Sequence, residues 1–314
     1  MRAGRIVSDL TGGMADSSEG IACGLDTQFQ LASVSKSFTA AAVLLLVDAG
    51  KISVADRVPR WLDRCPTSWK DMTIHQLLTH TAGLPHWHDL PAISLTQAMA
   101  AGDELDIFRG SALRSSPGEG WYYSSPGYVL LAHIVQRSAD QPYREFLHQR
   151  VFTPLQLWAT YAGNAGDRPS TTVGHVEGVA VPSFELDTVG MGAGDIWSTV
   201  GDVMRWDASL MGRGFLSQAS RRAMFQIHVT LPSQWHLEEG SPIGATGYGY
   251  GWFLGRGLGK DLVVHPGDNA GFKSVNLVVP SLGIRLAVLV NDEASTCNSV
   301  AVDLLKEALE DRPA

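Results

Sequence analysis

The sequence predicts an α+β fold, with one sheet drawn from both ends of the chain and a mostly helical middle beside it. Three observations predict it. Short β-branched and aromatic runs, broken by glycine, proline and asparagine, crowd the last third. Helix-like apolar spacing dominates from about residue 52 to 184. Residues 5–15, mixing apolar side chains with glycine, read as an early strand with a loop after it. The expected division puts 1–51 and 186–314 in an α/β sandwich domain and 52–185 in a helical subdomain.

After that first strand, Ser33-Val34-Ser35-Lys36-Ser37-Phe38-Thr39 runs into an apolar stretch at 40–47 and then Gly50. Alanine and leucine favour a helix, serine starts one well, and glycine commonly stands just past its end. The segment is apolar on every face, so the helix belongs in the middle of the protein. A polar Ser-x-x-Lys therefore opens a buried helix. Residues 73–80 and 126–138 have helical spacing, and 142–151 add another amphipathic stretch. Past Gly190 the glycines thicken, and Thr199 with Asp202 reads as a capped start to a helix through Leu210. Strands follow at 248–255, 262–265, 272–280 and 284–291, with Pro280-Ser281-Leu282-Gly283 as a hairpin turn. A helix over 299–310 comes last, and no internal repeat is visible.

At 314 residues, 45% hydrophobic and 18% charged, the chain buries a substantial core. The net charge of -8 and the lack of a Lys/Arg cluster exclude nucleic acid as a partner. The apolar run at 40–47 is too short to span a bilayer, so no membrane is expected. Arg2 and Arg5 are followed by no apolar stretch, so no secretory signal is visible and the expected location is the cytoplasm. Cys23, Cys65 and Cys297 are an odd, scattered set with no zinc-type spacing, which reads as reduced, mostly buried thiols.

Three segments carry chemistry. Ser33 and Lys36 share a helix face, so the amine reaches the hydroxyl. A serine attacks only once its proton is taken, and a lysine takes it only when desolvation lowers its pKa; burial at the foot of an apolar helix supplies that. The helix N-terminus also favours charge developing on the serine and on a bound oxyanion. In Pro117-Gly118-Glu119-Gly120-Trp121-Tyr122-Tyr123-Ser124-Ser125-Pro126, a turn presents aromatic and hydroxyl residues just before a helix. Tyr123 there is either a proton shuttle beside a cation or part of an aromatic plug in the core. His265-Pro266-Gly267-Asp268-Asn269 ends a strand, its histidine either a hydrogen-bonding aid or structural.

Other signals are set aside. His86-Trp87-His88 has a chelating look, but no carboxylate or cysteine stands at a recognised spacing, so no metal is expected. The glycine runs around 190–194 and 247–251 are not dinucleotide fingerprints, and no cofactor is expected. The tryptophans at 87, 121, 197 and 252 line a site or pack the core.

The order Ser-x-x-Lys, Tyr-x-Ser, His-x-Gly resembles the three motifs of the serine β-lactamase, penicillin-binding protein (DD-peptidase) and esterase superfamily, in its class C β-lactamase-like part. The text between agrees: Leu77-Leu78-Thr79-His80-Thr81-Ala82-Gly83-Leu84-Pro85, Tyr123-Ser124-Ser125-Pro126-Gly127-Tyr128 and Gly271-Phe272-Lys273-Ser274 are similar to the family's segments. The resemblance covers about residues 5–293. It implies an antiparallel sheet flanked by helices, with the site between that sheet domain and the helical subdomain. It implies Ser33 as the acylated nucleophile, with Lys36 and Tyr123 sharing the general-base work. The N–H groups of Ser33 and Asp268 become the oxyanion hole, and His265 and Gly267 line the strand edge where substrate lies.

Departures from the pattern shape the expectation. Ser125 stands where the β-lactamases have asparagine, and His265 where they have lysine, which weakens the case for a β-lactam carboxylate. Pro266 removes a strand N–H. The family's opening helix and first strand are expected to be missing or shortened. The expectation is thus a serine hydrolase of the esterase or peptidase/amidase type, forming an acyl-enzyme on a small ester, amide or peptide. Two alternatives stand beside it: an acyltransferase using the same acyl-enzyme with an amine or alcohol acceptor, and a catalytically silent binding protein on the same scaffold.

Overall fold

The protein is described by a computed structural model covering residues 1–94, 99–100, 102–163, 171–181 and 190–311. The domain boundary expected at 185/186 lies outside the described residues. Helix α1 (Ser35–Asp48) is buried along most of its length, Lys36 included, as its all-apolar surface requires. It starts later than the sequence predicts. Ala32–Val34 form a single 3-10 turn that carries Ser33, and Ala32 takes a φ of 46°. That left-handed angle costs a non-glycine residue roughly 1–2 kcal/mol. Phe38 stacks on Trp206 at 4.0 Å, and Trp206 Nε1 donates to Ser37 Oγ at 3.1 Å, which anchors the helix from below.

Helices form at the stretches expected near 73–80, 126–138 and 142–151. A capping box on Thr73 and Gln76 opens the short helix α2 (Ile74–Leu78). Helix α3 (Asp103–Gly110) follows, then α4 (Ser125–Ala139), whose Ser124 cap accepts from the Gly127 N–H. The stretch predicted at 142–151 is α5 (Tyr143–Leu147) continued by a π-turn over His148–Phe152. Thr199 caps α6 (Val200–Met211) by accepting from the Asp202 N–H, as predicted. Helices α7 (Gln218–Met224) and α8 (Cys297–Glu310) complete the set.

Among the strands, β1 (Met14–Asp16) and β2 (Ile21–Ala22) pair with each other. Strands β3 (Phe29–Gln30), β4 (Tyr161–Ala162) and β7 (Ile196–Ser198) form a small sheet in the order β3-β7-β4. Between these in sequence, β5 (Gly174–Val176) and β6 (Val179–Val181) make a hairpin. The main sheet is an antiparallel meander of β8 (Val229–His236), β9 (Ile243–Tyr248), β10 (Phe253–Gly257), β11 (Lys260–Asn269), β12 (Phe272–Val279) and β13 (Ile284–Val290). Helix α8 packs its Ala301 and Leu305 with Val275 and Leu277 on one face. Val263 and Val278 join the core of α1 and α4 on the other. The fold is α+β, an antiparallel sheet flanked by helices.

Three expectations about strands are corrected. Residues 5–15 are not a strand apart from the start of β1, and the amino terminus meets the edge of the main sheet through an Arg2–Ile284 bridge, with the Met1 amine donating to the Arg285 carbonyl. The stretch 248–255 is two strands, because the chain reverses between Tyr248 and Phe253 with Gly251 at a φ of 77°. Strand β8 was not foreseen. Its Pro232, Ser233 and Gln234 break the alternation by which a strand is recognised.

Candidate active site

Ser33, Lys36 and Tyr123 meet at the head of α1. Lys36 Nζ lies 2.9 Å from Ser33 Oγ and donates to the Ala193 carbonyl at 2.8 Å. Burial drives the Lys36 pKa well below that of a free lysine, against the raising pull of Asp195. The lowered pKa makes this amine, with one N–H on Ala193, a readier acceptor for the Ser33 proton. Tyr123 hydrogen-bonds to Ser33, and Lys36 Nζ stands 5.1 Å from the Tyr123 ring centre. Desolvation raises the Tyr123 pKa, only partly offset by the bond to Ser33, so this hydroxyl keeps its proton.

The loop after α2 positions Tyr123. His80, held at a φ of 59°, accepts the Ser124 N–H on Nδ1 at 3.1 Å and the Tyr122 N–H on its carbonyl at 2.9 Å. Its ring packs 4.4 Å from that of Tyr123. Farther along, Ser124 Oγ donates to the Pro85 carbonyl at 2.8 Å, and the Ser125 N–H donates to His86 Nδ1 at 3.2 Å. One stretch of chain, 80–86, thus splints the loop that carries the tyrosine.

Strand β11 supplies the facing wall with His265, Gly267 and Asp268. Gly267 is held to glycine by contact. A Cβ there would meet the Leu31 carbonyl at 2.4 Å and Ser274 Oγ at 2.2 Å, so no side chain lets the strand approach the Ser33 turn this closely. His265 is fully engaged: Tyr248 O–H donates to Nε2 at 3.1 Å, and Nδ1–H donates to the Pro266 carbonyl at 2.7 Å. Burial, helped by nearby Lys36, lowers its pKa to about 3, so the ring is neutral.

Ser33, Tyr123, Ser125, His265, Gly267 and Asp268 line one cleft of about 550 Å³. Its remaining walls are largely aromatic, with Trp87, Trp121, Trp235 and Phe253, and Asp268 and Glu293 bring carboxylates. No lysine or arginine is among the described residues that line it. Every site residue predicted from sequence therefore falls at one place, Lys36 directly beneath Ser33. Sequence reasoning missed His86 as part of the site, and it missed Tyr248, Trp235 and Phe253, because those strands were misread or unforeseen. Among the described residues no group of three metal-ligating side chains is assembled; the rings of His86 and His88 stand 5.0 Å apart at right angles.

The arrangement sets a serine hydroxyl between a desolvated amine and a protonated phenol at the edge of an antiparallel sheet. The chain belongs to the β-lactamase family, whose family model, described as Beta-lactamase, matches residues 1–310. It is 30% identical over 295 residues to a penicillin-binding protein of Bacillus subtilis (strain 168), covering 85% of this chain and 61% of that protein. It is also 35% identical over 172 residues to esterase EstB of Burkholderia gladioli, covering 50% of this chain and 44% of the esterase. The D-amino acid amidase of Ochrobactrum anthropi SV3 superposes with a TM-score of 0.79 at 25% identity, covering 95% of this chain and 87% of the amidase. The chain spans 61% and 64% of the lengths of two Bacillus subtilis penicillin-binding relatives.

Proposed function

We propose that the protein is a serine hydrolase that forms an acyl-enzyme on Ser33 with uncharged ester or amide substrates. The observation that carries this reading is Ser33 Oγ held 2.9 Å from Lys36 Nζ, a fully buried amine whose charge burial suppresses. Lys36 takes the proton as Ser33 Oγ attacks the substrate carbonyl. The N–H groups of Ser33 and Asp268 receive the oxygen of the tetrahedral intermediate. Tyr123, still protonated and bonded to Ser33, gives its proton to the leaving group and is resupplied from Lys36. Water then attacks the acyl carbonyl and loses a proton to the same pair, which returns it to Ser33 Oγ as the bond to the acyl group breaks and the acid leaves. Esterase and amidase relatives on this fold support the ester or amide choice.

The neutral His265 supports the preference for uncharged substrates. Both its ring nitrogens are spoken for within the protein, so it offers a substrate carboxylate neither charge nor proton. The test is hydrolysis of p-nitrophenyl butyrate by the wild type and Ser33→Ala, with intact mass recorded alongside. A p-nitrophenol burst with a butyryl adduct in the wild type alone is the expected result. Equal turnover by the alanine variant, or no adduct in the wild type, overturns the reading.

A further inference from the structure

His86 stands in the cleft with an unused hydrogen-bond donor. Its Nδ1 accepts the Ser125 N–H at 3.2 Å, and a ring nitrogen that accepts carries no proton. The neutral ring therefore has its proton on Nε2. Burial first, and Lys36 next, push the His86 pKa down to about 3, so this is the form present at neutral pH. The backbone fixes the ring as well, since the His86 N–H donates to Asp89 Oδ2 at 2.9 Å and starts the turn Trp87–Asp89. The ring stands edge-on to Tyr123 with centres 5.5 Å apart and shares the cleft wall with Ser33. Among the described residues Nε2–H meets no acceptor, and it is not one of the sealed, unpartnered atoms of the core. A donor left unpaired beside a nucleophile is open to substrate.

We propose that His86 is a substrate-binding residue whose Nε2–H reads an uncharged carbonyl oxygen in the acyl part of the substrate. This rests on the acyl-enzyme reading above. The acyl part is the portion that stays on Ser33 through both half-reactions, so a donor fixed in the same cleft serves acylation and deacylation alike. The acceptor is uncharged because the donor is a single neutral N–H, with Asp89 at its own backbone and Asp268 and Glu293 along the same cleft. The substrate class is thus an ester or amide whose acyl group bears a second amide or ester carbonyl, as in an N-acylated amino acid.

The test compares p-nitrophenyl N-acetylglycinate, which has that second carbonyl, with p-nitrophenyl butyrate, which lacks it. His86→Phe removes the donor; His86→Gln retains a donor and an acceptor for the Ser125 N–H. The expected result is a selective loss of kcat/KM on the acetylglycyl ester in His86→Phe of about three- to tenfold, the worth of one neutral hydrogen bond. Phe also removes the acceptor of the Ser125 N–H, which slows both esters alike, so the readout is the ratio of the two esters and it falls by that factor. His86→Gln keeps most of the wild-type ratio. Equal losses on both esters assign His86 to positioning the Ser125 loop and overturn the proposal, as does an unchanged ratio. If neither ester leaves an adduct on wild-type Ser33, the acyl-enzyme reading itself fails, a result separate from those two.

Discussion

Burial has the same effect on several side chains: it disfavours their charged forms. Lys36, His80, His86 and His265 are all pushed toward their neutral forms, chiefly by desolvation. Asp207 on α6 follows the same rule from the acid side. Desolvation raises its pKa to about 8 against the lowering pull of Asn276 and Arg285. Asn276 Nδ2 donates to Asp207 Oδ1 at 2.8 Å, while Asp207 Oδ2 and Asn276 Oδ1 are both buried without a partner. A proton on Asp207 Oδ2 turns one of these two unpaired acceptors into a donor. Folded Asp207 keeps this proton up to about 8, whereas an unfolded aspartate loses it near 3.8. Between those values the folded state holds the extra proton, so stability falls as pH rises, by about 1.4 kcal/mol per unit. It levels off above the folded value. Asp207→Asn reproduces the protonated form permanently, so its thermal midpoint should exceed that of the wild type by a margin that widens from pH 5 to pH 8. A constant difference across that range would assign the proton elsewhere.

Among the elements, β11 and the 3-10 turn before α1 depend on each other. Ser274 Oγ on the neighbouring strand donates to the Leu31 carbonyl at 2.7 Å, and Gly267 lets the strand close over that turn. Gly267→Ala must push the two apart. We expect a destabilisation of roughly 1–3 kcal/mol, the usual result of overpacking. The burst on p-nitrophenyl butyrate should fall far more than stability alone accounts for, because the Asp268 N–H moves away from Ser33. A variant with lowered stability but a full burst would show that this contact does not set the oxyanion geometry. The same junction shows what was legible in the sequence. Ser-x-x-Lys, Tyr-x-Ser and His-x-Gly are local patterns, and α1 announces itself by being apolar all round, so Ser33 and its neighbours could be placed. His86 could not, since its role depends on an N–H 39 positions away, and nothing in His86-Trp87-His88 itself points to Ser125. Strand β9 reads Ile243-Gly-Ala-Thr-Gly-Tyr, where glycine hides the alternation, and its reversal into β10 was read as one strand. Residues 5–15 have the composition of a strand, but only Met14 and Ala15 enter one, β1, which pairs with β2 and not with the main sheet.

For the whole molecule, electrostatics act on the site from two distances. The chain carries a net charge of -8, and its cleft is lined by Asp268 and Glu293 with no lysine or arginine among the described lining residues. Asp268 faces Lys273 across the β11–β12 ladder, and burial still raises its pKa, with Glu293 adding to the rise. A substrate carboxylate entering this cleft meets like charge at close range and an unfavourable field on approach. His265 cannot relieve it, because both ring nitrogens are engaged and the ring is neutral. The mono-p-nitrophenyl ester of succinic acid is close in length to p-nitrophenyl butyrate and adds one carboxylate. Its kcat/KM should be at least about tenfold lower, the equivalent of about 1.4 kcal/mol. At 0.1 M salt, exposed charges more than about 10 Å apart are largely screened, so raising ionic strength should narrow the gap by removing the approach component, while the local component persists. His265→Lys puts a cation at the strand edge and should raise turnover of the succinyl ester relative to butyrate. Parity between the two esters in the wild type at low salt would mean that charge does not select the substrate, leaving the aromatic walls and His86 to do so.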